Sequence, residues 1–253
     1  LLVGHSMLRV QTMEDVTYPA TGPQIAKMRA MVDEAMAAGA IGVSTGLYYE
    51  PARAAPCEEV IEICRPLSKR NGIYCTHMRD EGEHVLDSLE ESFRVGRELG
   101  VPVVISHHKV AGKANHGRSA ETLPFIEKAM RSQKIGLDCY PYCASSTILT
   151  YGRSLGASKT LVTWSVPHPE ASGMDLQEIA KKMQLSVEKT VDKLLPAGAI
   201  YFAMDEGDVQ RILAESPSWT ENVLVGLRAR YLMYGPLGNR VFKAALTRDR
   251  VRH

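Results

Sequence analysis

Two stretches of the chain end an apolar run with a small hydroxyl residue and then a histidine: "IYCTHMRDE" at 73–81 and "VPVVISHHK" at 101–109. If the runs are neighbouring parallel strands, His77 and whichever of His107 and His108 faces inward lie about 5 Å apart, one strand spacing. Imidazole nitrogens at that separation can converge on one ion, because a zinc–nitrogen bond is roughly 2.0–2.1 Å. A catalytic zinc takes about three protein ligands, keeps a position open for water and brings the pKa of that water to roughly 7. A lone histidine after a strand is more often a satisfied core residue. Two of them one structural period apart point instead to a shared metal.

Other residues fit chemistry less specifically. Asp138, at the end of "KIGLDCY", suits a ligand, a base or the cap of a turn. Cys139 and Cys143 form a C-x3-C pair with no second pair nearby, so metal binding there is the weaker reading. Tyr48, Tyr49, Tyr140 and Tyr142 are packing residues by default, although their places after apolar runs make them candidate substrate contacts. Lys109 is either a carboxylate holder or a solvated charge. His84 and His116 read as surface residues.

These side chains need strands to hold them. Apolar runs begin near Ile41, Ile73, Val103 and Ile135, recurring every 30–32 residues. Helical patterns precede each of them, at 21–40, 57–72, 81–100 and 119–133. Pro23 marks the first turn of one helix and Gly39 its end. Strands alternating with helices, and apolar throughout, predict a parallel sheet covered by helices. Polar or metal-capable residues follow all four strands. That favours a (β/α)8 barrel, whose site is built from many strand ends, over a doubly wound sheet, whose chemistry gathers at one switch point. No glycine-rich phosphate loop opens any helix. The expected division is residues 1–174 as barrel strands and helices, 175–199 as a small helical insertion, and 200–253 as a last barrel unit with a divergent tail.

The 253 residues are 45% hydrophobic and carry a formal net charge of +1. That composition suits a globular protein and gives no field that would steer it to nucleic acid or an anionic membrane. No apolar run reaches the roughly 18 residues a membrane span needs, and no signal peptide is legible at the start. Five scattered cysteines read as reduced thiols in the cytoplasm. The chain opens without methionine, as a fragment would.

At this point the motifs become familiar. "GAIGVSTGLYYEPA", "THMRDE", "VVISHHKVAGKANHGRS", "LDCYPYCASST" and "IYFAMDEGDVQRIL" resemble, in order and over about residues 1–216, those of the N-acyl-D-amino-acid deacylases, or D-aminoacylases, of the amidohydrolase superfamily. The resemblance implies a metal-dependent (β/α)8 barrel that hydrolyses the amide of N-acyl-D-amino acids. It implies His77 and His107 as Zn2+ ligands on the fifth and sixth strands. By the same carry-over Lys109 and Tyr140 hold the substrate carboxylate or polar backbone, and Tyr49, Ser146, Leu155, Tyr201 and Met204 surround the substrate.

The departures are specific. The family's H-x-H strand and zinc-binding cysteine are not in this sequence. Its catalytic aspartate belongs to an S-D-G segment, and no aspartate occurs here between Asp208 and Asp249. "SPSWTENVLVGLRARYLM" replaces that segment before "YGPLGNRVF" resembles the family again, a pattern that a compensated reading-frame slip would leave. Loss of one acid/base group commonly removes roughly two to four powers of ten in rate. The expectation is therefore a hydrolase impaired in this chain, with no catalytic residue assigned. Two alternatives remain: a non-catalytic barrel remnant, and an amidohydrolase acting on cyclic amides. The latter's bridging carboxylated lysine has no counterpart in "STGLYY".

Overall fold

The structure, a computed structural model, describes residues 1–220, with side chains to 214. Its first sheet has five parallel strands: β1 (Leu2–Gly4), β2 (Gly42–Gly46), β3 (Ile73–His77), β4 (Val103–Ile105) and β5 (Ile135–Leu137). They lie side by side in chain order, β1-β2-β3-β4-β5. No described strand reverses that order, so this sheet has no switch point of the doubly wound kind.

The helices between them are α1 (His5–Thr12), α2 (Gly22–Ala37), the short α3 (Glu50–Arg53), α4 (Cys57–Cys64), α5 (Pro66–Lys69), α6 (Val85–Leu99) and α7 (Ser119–Met130). Thr21 and Gln24 close a capping box at the start of α2, satisfying backbone donors that the first turn leaves free. The helix buries Met28, Val32 and Met36, spaced by four so that they share one face. On α6 the buried stripe is Val85, Leu89 and Phe93, and Gly100 ends the helix at φ +65°. Gly96 on the same stripe is a packing requirement: a Cβ there would lie 2.3 Å from Val103 Cγ2. These faces and the strands form one continuous apolar core that includes Tyr74, Ile105 and Ile126.

Residues 140–173, within the stretch expected to be barrel strands and helices, contain β6 (Ala144–Ile148), α8 (Tyr151–Leu155) and β7 (Lys159–Ser165). Both strands pair antiparallel with β8 (Ala197–Phe202), giving a second sheet in the order β6-β8-β7. The "IYF" run is thus the central strand of a separate sheet, not the next parallel strand of the first. Its apolar residues suit either pairing, and strand direction leaves no mark in a local pattern. Helices α9 (Leu176–Met183) and α10 (Val187–Leu194) pack with this sheet around Val162, Leu176, Ile179, Val191, Leu194 and Tyr201. Helix α11 (Glu206–Thr220) returns to the first sheet: Asp208 accepts from the backbone N–H of Gly117 at 2.7 Å and of Ser119 at 3.1 Å, capping α7. Among the described residues no helix is long and apolar enough to cross a membrane.

Candidate metal centre

β3 carries His77 at its last residue, in register with Gly46 of β2. Beyond β4 the chain turns through Ser106 to His107, which sits at φ +43°, a left-handed conformation uncommon outside glycine. Asp138, just past β5, holds that turn. Its carboxylate accepts from the His107 N–H at 2.6 Å and its carbonyl from the His108 N–H at 2.7 Å. Of the three roles its sequence position allowed, the structure shows the turn-holding one.

The turn decides which histidine faces inward. His107 Nε2 lies 2.8 Å from His77 Nδ1, with ring centroids 4.6 Å apart. His108 is turned away and buried, its Nε2 3.0 Å from Thr122 Oγ1 on α7.

Glu81 joins the pair. One carboxylate oxygen, Oε1, lies 3.1 Å from His107 Nδ1, 3.8 Å from His77 Nδ1 and 2.5 Å from Lys109 Nζ. His77, Glu81 and His107 form a group whose ligand atoms all fall within 4.8 Å of one another. Glu81 is the residue that sequence reasoning missed, although it ends the "THMRDE" motif. A carboxylate four residues past a strand-end histidine was the available signal.

The electrostatics suit a cation. Burial pushes His77 down to about 4, with His107 and Lys109 adding to it and Glu81 opposing, so its ring is neutral at pH 7. Burial acts against ionisation of Glu81, but Lys109 and then the histidines outweigh it and hold the carboxyl well below its usual range. Neutral imidazole and ionised carboxylate are the metal-binding forms. The Nε2 of His77, the ring nitrogen other than the one that faces His107, is buried and has no partner among the described residues. His107 Nδ1 lies between Glu81 Oε1 at 3.1 Å and Lys109 Nζ at 2.7 Å, while its Nε2 faces the space shared with His77. Glu81, engaged by Lys109, then orients His107 in the manner of a carboxylate behind a metal-binding imidazole. The residues present fit zinc.

Around the pair, Tyr49 places its ring 5.0 Å from that of His77 and its hydroxyl 3.0 Å from Thr147 Oγ1 on β6. Tyr140 lies 6.4 Å from His107, with Lys109 Nζ 5.4 Å from its ring centre. A recess of about 190 Å³ opens beside them, with Tyr48, Glu81, Ser145, Arg153 and Tyr201 in its wall. The Tyr201 hydroxyl is already engaged, donating to the Ile148 carbonyl at 2.9 Å and accepting from the Thr150 N–H at 2.8 Å. Met204 is buried. Two expected contacts are not gathered here. Ser146 is exposed on β6, where strand alternation sets it opposite Ser145 and Thr147, and Leu155 on α8 is 65% exposed. Cys143 donates its thiol hydrogen to Glu206 at 2.9 Å and is pushed up to about 11, chiefly by burial, so it offers no thiolate. Of residues 217–233, where the family's S-D-G segment would fall, all from 221 on lie outside the described residues.

A pH dependence follows. Burial holds both His77 and His108 at about 4 in the folded chain, below the ordinary 6.5. The unfolded chain therefore takes up their protons first as pH falls. Stability is fully present above about 6.5 and declines down to about 4. In urea titrations of the metal-free chain the midpoint falls progressively across that window, and His108→Gln removes about half of the fall. A midpoint constant from pH 7 to pH 5 contradicts the burial of neutral imidazoles.

No family model matches the chain. Over 217 residues it is 59% identical to a D-aminoacylase of Alcaligenes xylosoxydans xylosoxydans, covering 86% of this chain and 45% of that protein. Among solved structures, a D-aminoacylase described as defining a subset of amidohydrolases matches with TM-score 0.81 and 59% identity, over 84% of this chain and 45% of its own. An N-acyl-D-glutamate deacylase from Bordetella bronchiseptica, complexed with zinc and a phosphonate mimic of the tetrahedral intermediate, matches with TM-score 0.81 and 40% identity over the same shares. The resemblance read from the motifs is borne out, and the chain spans about 45% of the length of these relatives.

Proposed function

We propose that this chain, a homologue of the N-acyl-D-amino-acid deacylases, carries part of a (β/α)8 barrel whose site hydrolyses the amide of an N-acyl-D-amino acid to a carboxylate and a free D-amino acid. The observation that carries the reading is the convergence of His77 Nδ1 and His107 Nε2 at 2.8 Å, backed by Glu81. Five parallel strands in chain order suit a stretch of barrel wall, with the antiparallel sheet and its helices as an inserted unit. His77 and His107 would hold zinc, which when bound supplies Lewis-acid polarisation of the amide carbonyl and acidifies water at neutral pH.

The chain's own groups do the rest. Asp138 and Glu81 fix the orientation of His107, and their geometry is set before any ligand arrives. Tyr49 and Tyr140 wall the space over the two imidazoles, leaving a recess toward Ser145 and Arg153 for the substrate. Lys109 is committed to Glu81, so its first role is to keep that carboxylate ionised and in place. The five scattered cysteines suit a reducing cytoplasmic setting. The leaving amine needs a proton donor, and the absence of aspartate between Asp208 and Asp249 makes turnover in this chain slow.

The test is amine release from N-acetyl-D-methionine and its L-enantiomer by the zinc-loaded chain. D-selective release that vanishes in His107→Ala is expected. Zinc binding without any release assigns the chain instead to the non-catalytic remnant that the missing aspartate favours.

A further inference from the structure

His107 and His108 are consecutive, yet their rings part. His107 turns toward His77, while His108 runs into the core toward α7. It is 2% exposed, and its Nε2 lies 3.0 Å from Oγ1 of Thr122, which is itself fully buried. The His108 ring stands apart from the metal centre, where Glu81 and Lys109 approach His107 and Asp138 takes the backbone N–H groups of both histidines.

Packing alone does not ask for an imidazole at this position. The Nδ1 of His108 is buried with no hydrogen-bond partner among the described residues, a loss that a leucine of similar bulk would not incur. What a leucine lacks is direction. The bond to Thr122 fixes where the His108 ring lies, and the single peptide link between the two residues passes that constraint to His107. His107 needs it, because φ +43° is a conformation that a histidine keeps only when its surroundings enforce it. Asp138 grips the turn from the end of β5 through the backbone, and His108 grips it from α7 through a side chain. Helix α7 is itself anchored, since Asp208 caps its first turn.

Resting on the deacylase reading and its metal site, we propose that His108 is a positioning residue: through Thr122 it braces the turn that aims His107 Nε2 at the space shared with His77. It touches neither metal nor substrate. Without the brace the His107 ring samples other orientations, and its 2.8 Å convergence with His77 Nδ1 is made only part of the time. Zinc affinity then falls while the fold survives.

Chelator competition for zinc, paired with thermal melting, tests this on four variants. His108→Leu and Thr122→Val keep the bulk and remove the bond, and each weakens zinc by about tenfold. His108→Gln, whose amide offers Thr122 a donor or an acceptor, stays within about threefold of the unaltered chain. Ile126→Ala, one turn farther along α7 in the apolar core, lowers Tm at least as much as Thr122→Val but leaves zinc affinity within about twofold. Zinc affinities that follow Tm across all four variants, or a His108→Leu affinity equal to that of the unaltered chain, overturn the assignment and leave the metal site standing. Failure of the unaltered chain to bind zinc overturns both.

Discussion

Zinc affinity falls by about a thousandfold or more when His77 and His107 are both replaced by alanine, while His84→Ala leaves it within about twofold. The difference follows from position. His77 and His107 converge from the ends of adjacent strands, whereas the His84 ring is exposed ahead of α6 and lies 3.4 Å from Asp87. Glu81→Gln weakens zinc by roughly 10- to 100-fold, because it removes the charge that orients His107 without removing a ligand. A chelator competition read against free zinc gives all four values. A double variant that binds zinc as tightly as the unaltered chain places the ion elsewhere.

The second large effect concerns folding. Glu59 on α4 is completely buried, with one oxygen accepting from Arg9 and lying 3.2 Å from His5 Nε2, and the other accepting from the Ala20 N–H at 2.9 Å. Arg9 is equally buried and also donates to the carbonyls of Pro51, Val16 and Tyr18. Burial disfavours the Glu59 anion, but its bonds from His5, Arg9 and Ala20 outweigh burial and hold its carboxyl low. Glu59→Gln leaves a buried guanidinium without its counter-charge and lowers stability by about 3–5 kcal/mol. For a chain of this size that is a fall of about 10–15 °C in Tm. Arg9→Met combined with Glu59→Leu regains most of it, since removing both charges is far less costly than stranding one. Thermal melting of the three variants decides, and a Glu59→Gln loss below about 1 kcal/mol contradicts this account.

The repeating parallel strands were legible because their apolar runs recur at a near-constant spacing and the helices between them are punctuated, by Pro23 and Gly39 around α2 and by Gly100 after α6. The histidine pair was legible for the same reason: strand ends recur every 30–32 residues, and so do His77 and His107. Which of His107 and His108 faces inward was not, because a left-handed φ at His107 depends on Asp138, about thirty residues on. Glu81 was missed for a different reason. A lone glutamate looks solvated in sequence, and only its burial against Lys109 shows otherwise. The antiparallel sheet was hidden because β6 has an exposed Ser146 and Ile148 and reads as a loop, while β8 reads as one more apolar strand.

The central claim is that two imidazoles hold the metal, and the X-ray absorption spectrum of zinc bound to this chain tests it most directly. The account predicts a nearest shell of nitrogen and oxygen at roughly 2.0–2.1 Å with imidazole scattering, and no sulfur. A sulfur shell at roughly 2.3 Å would place zinc on the cysteines and contradict it.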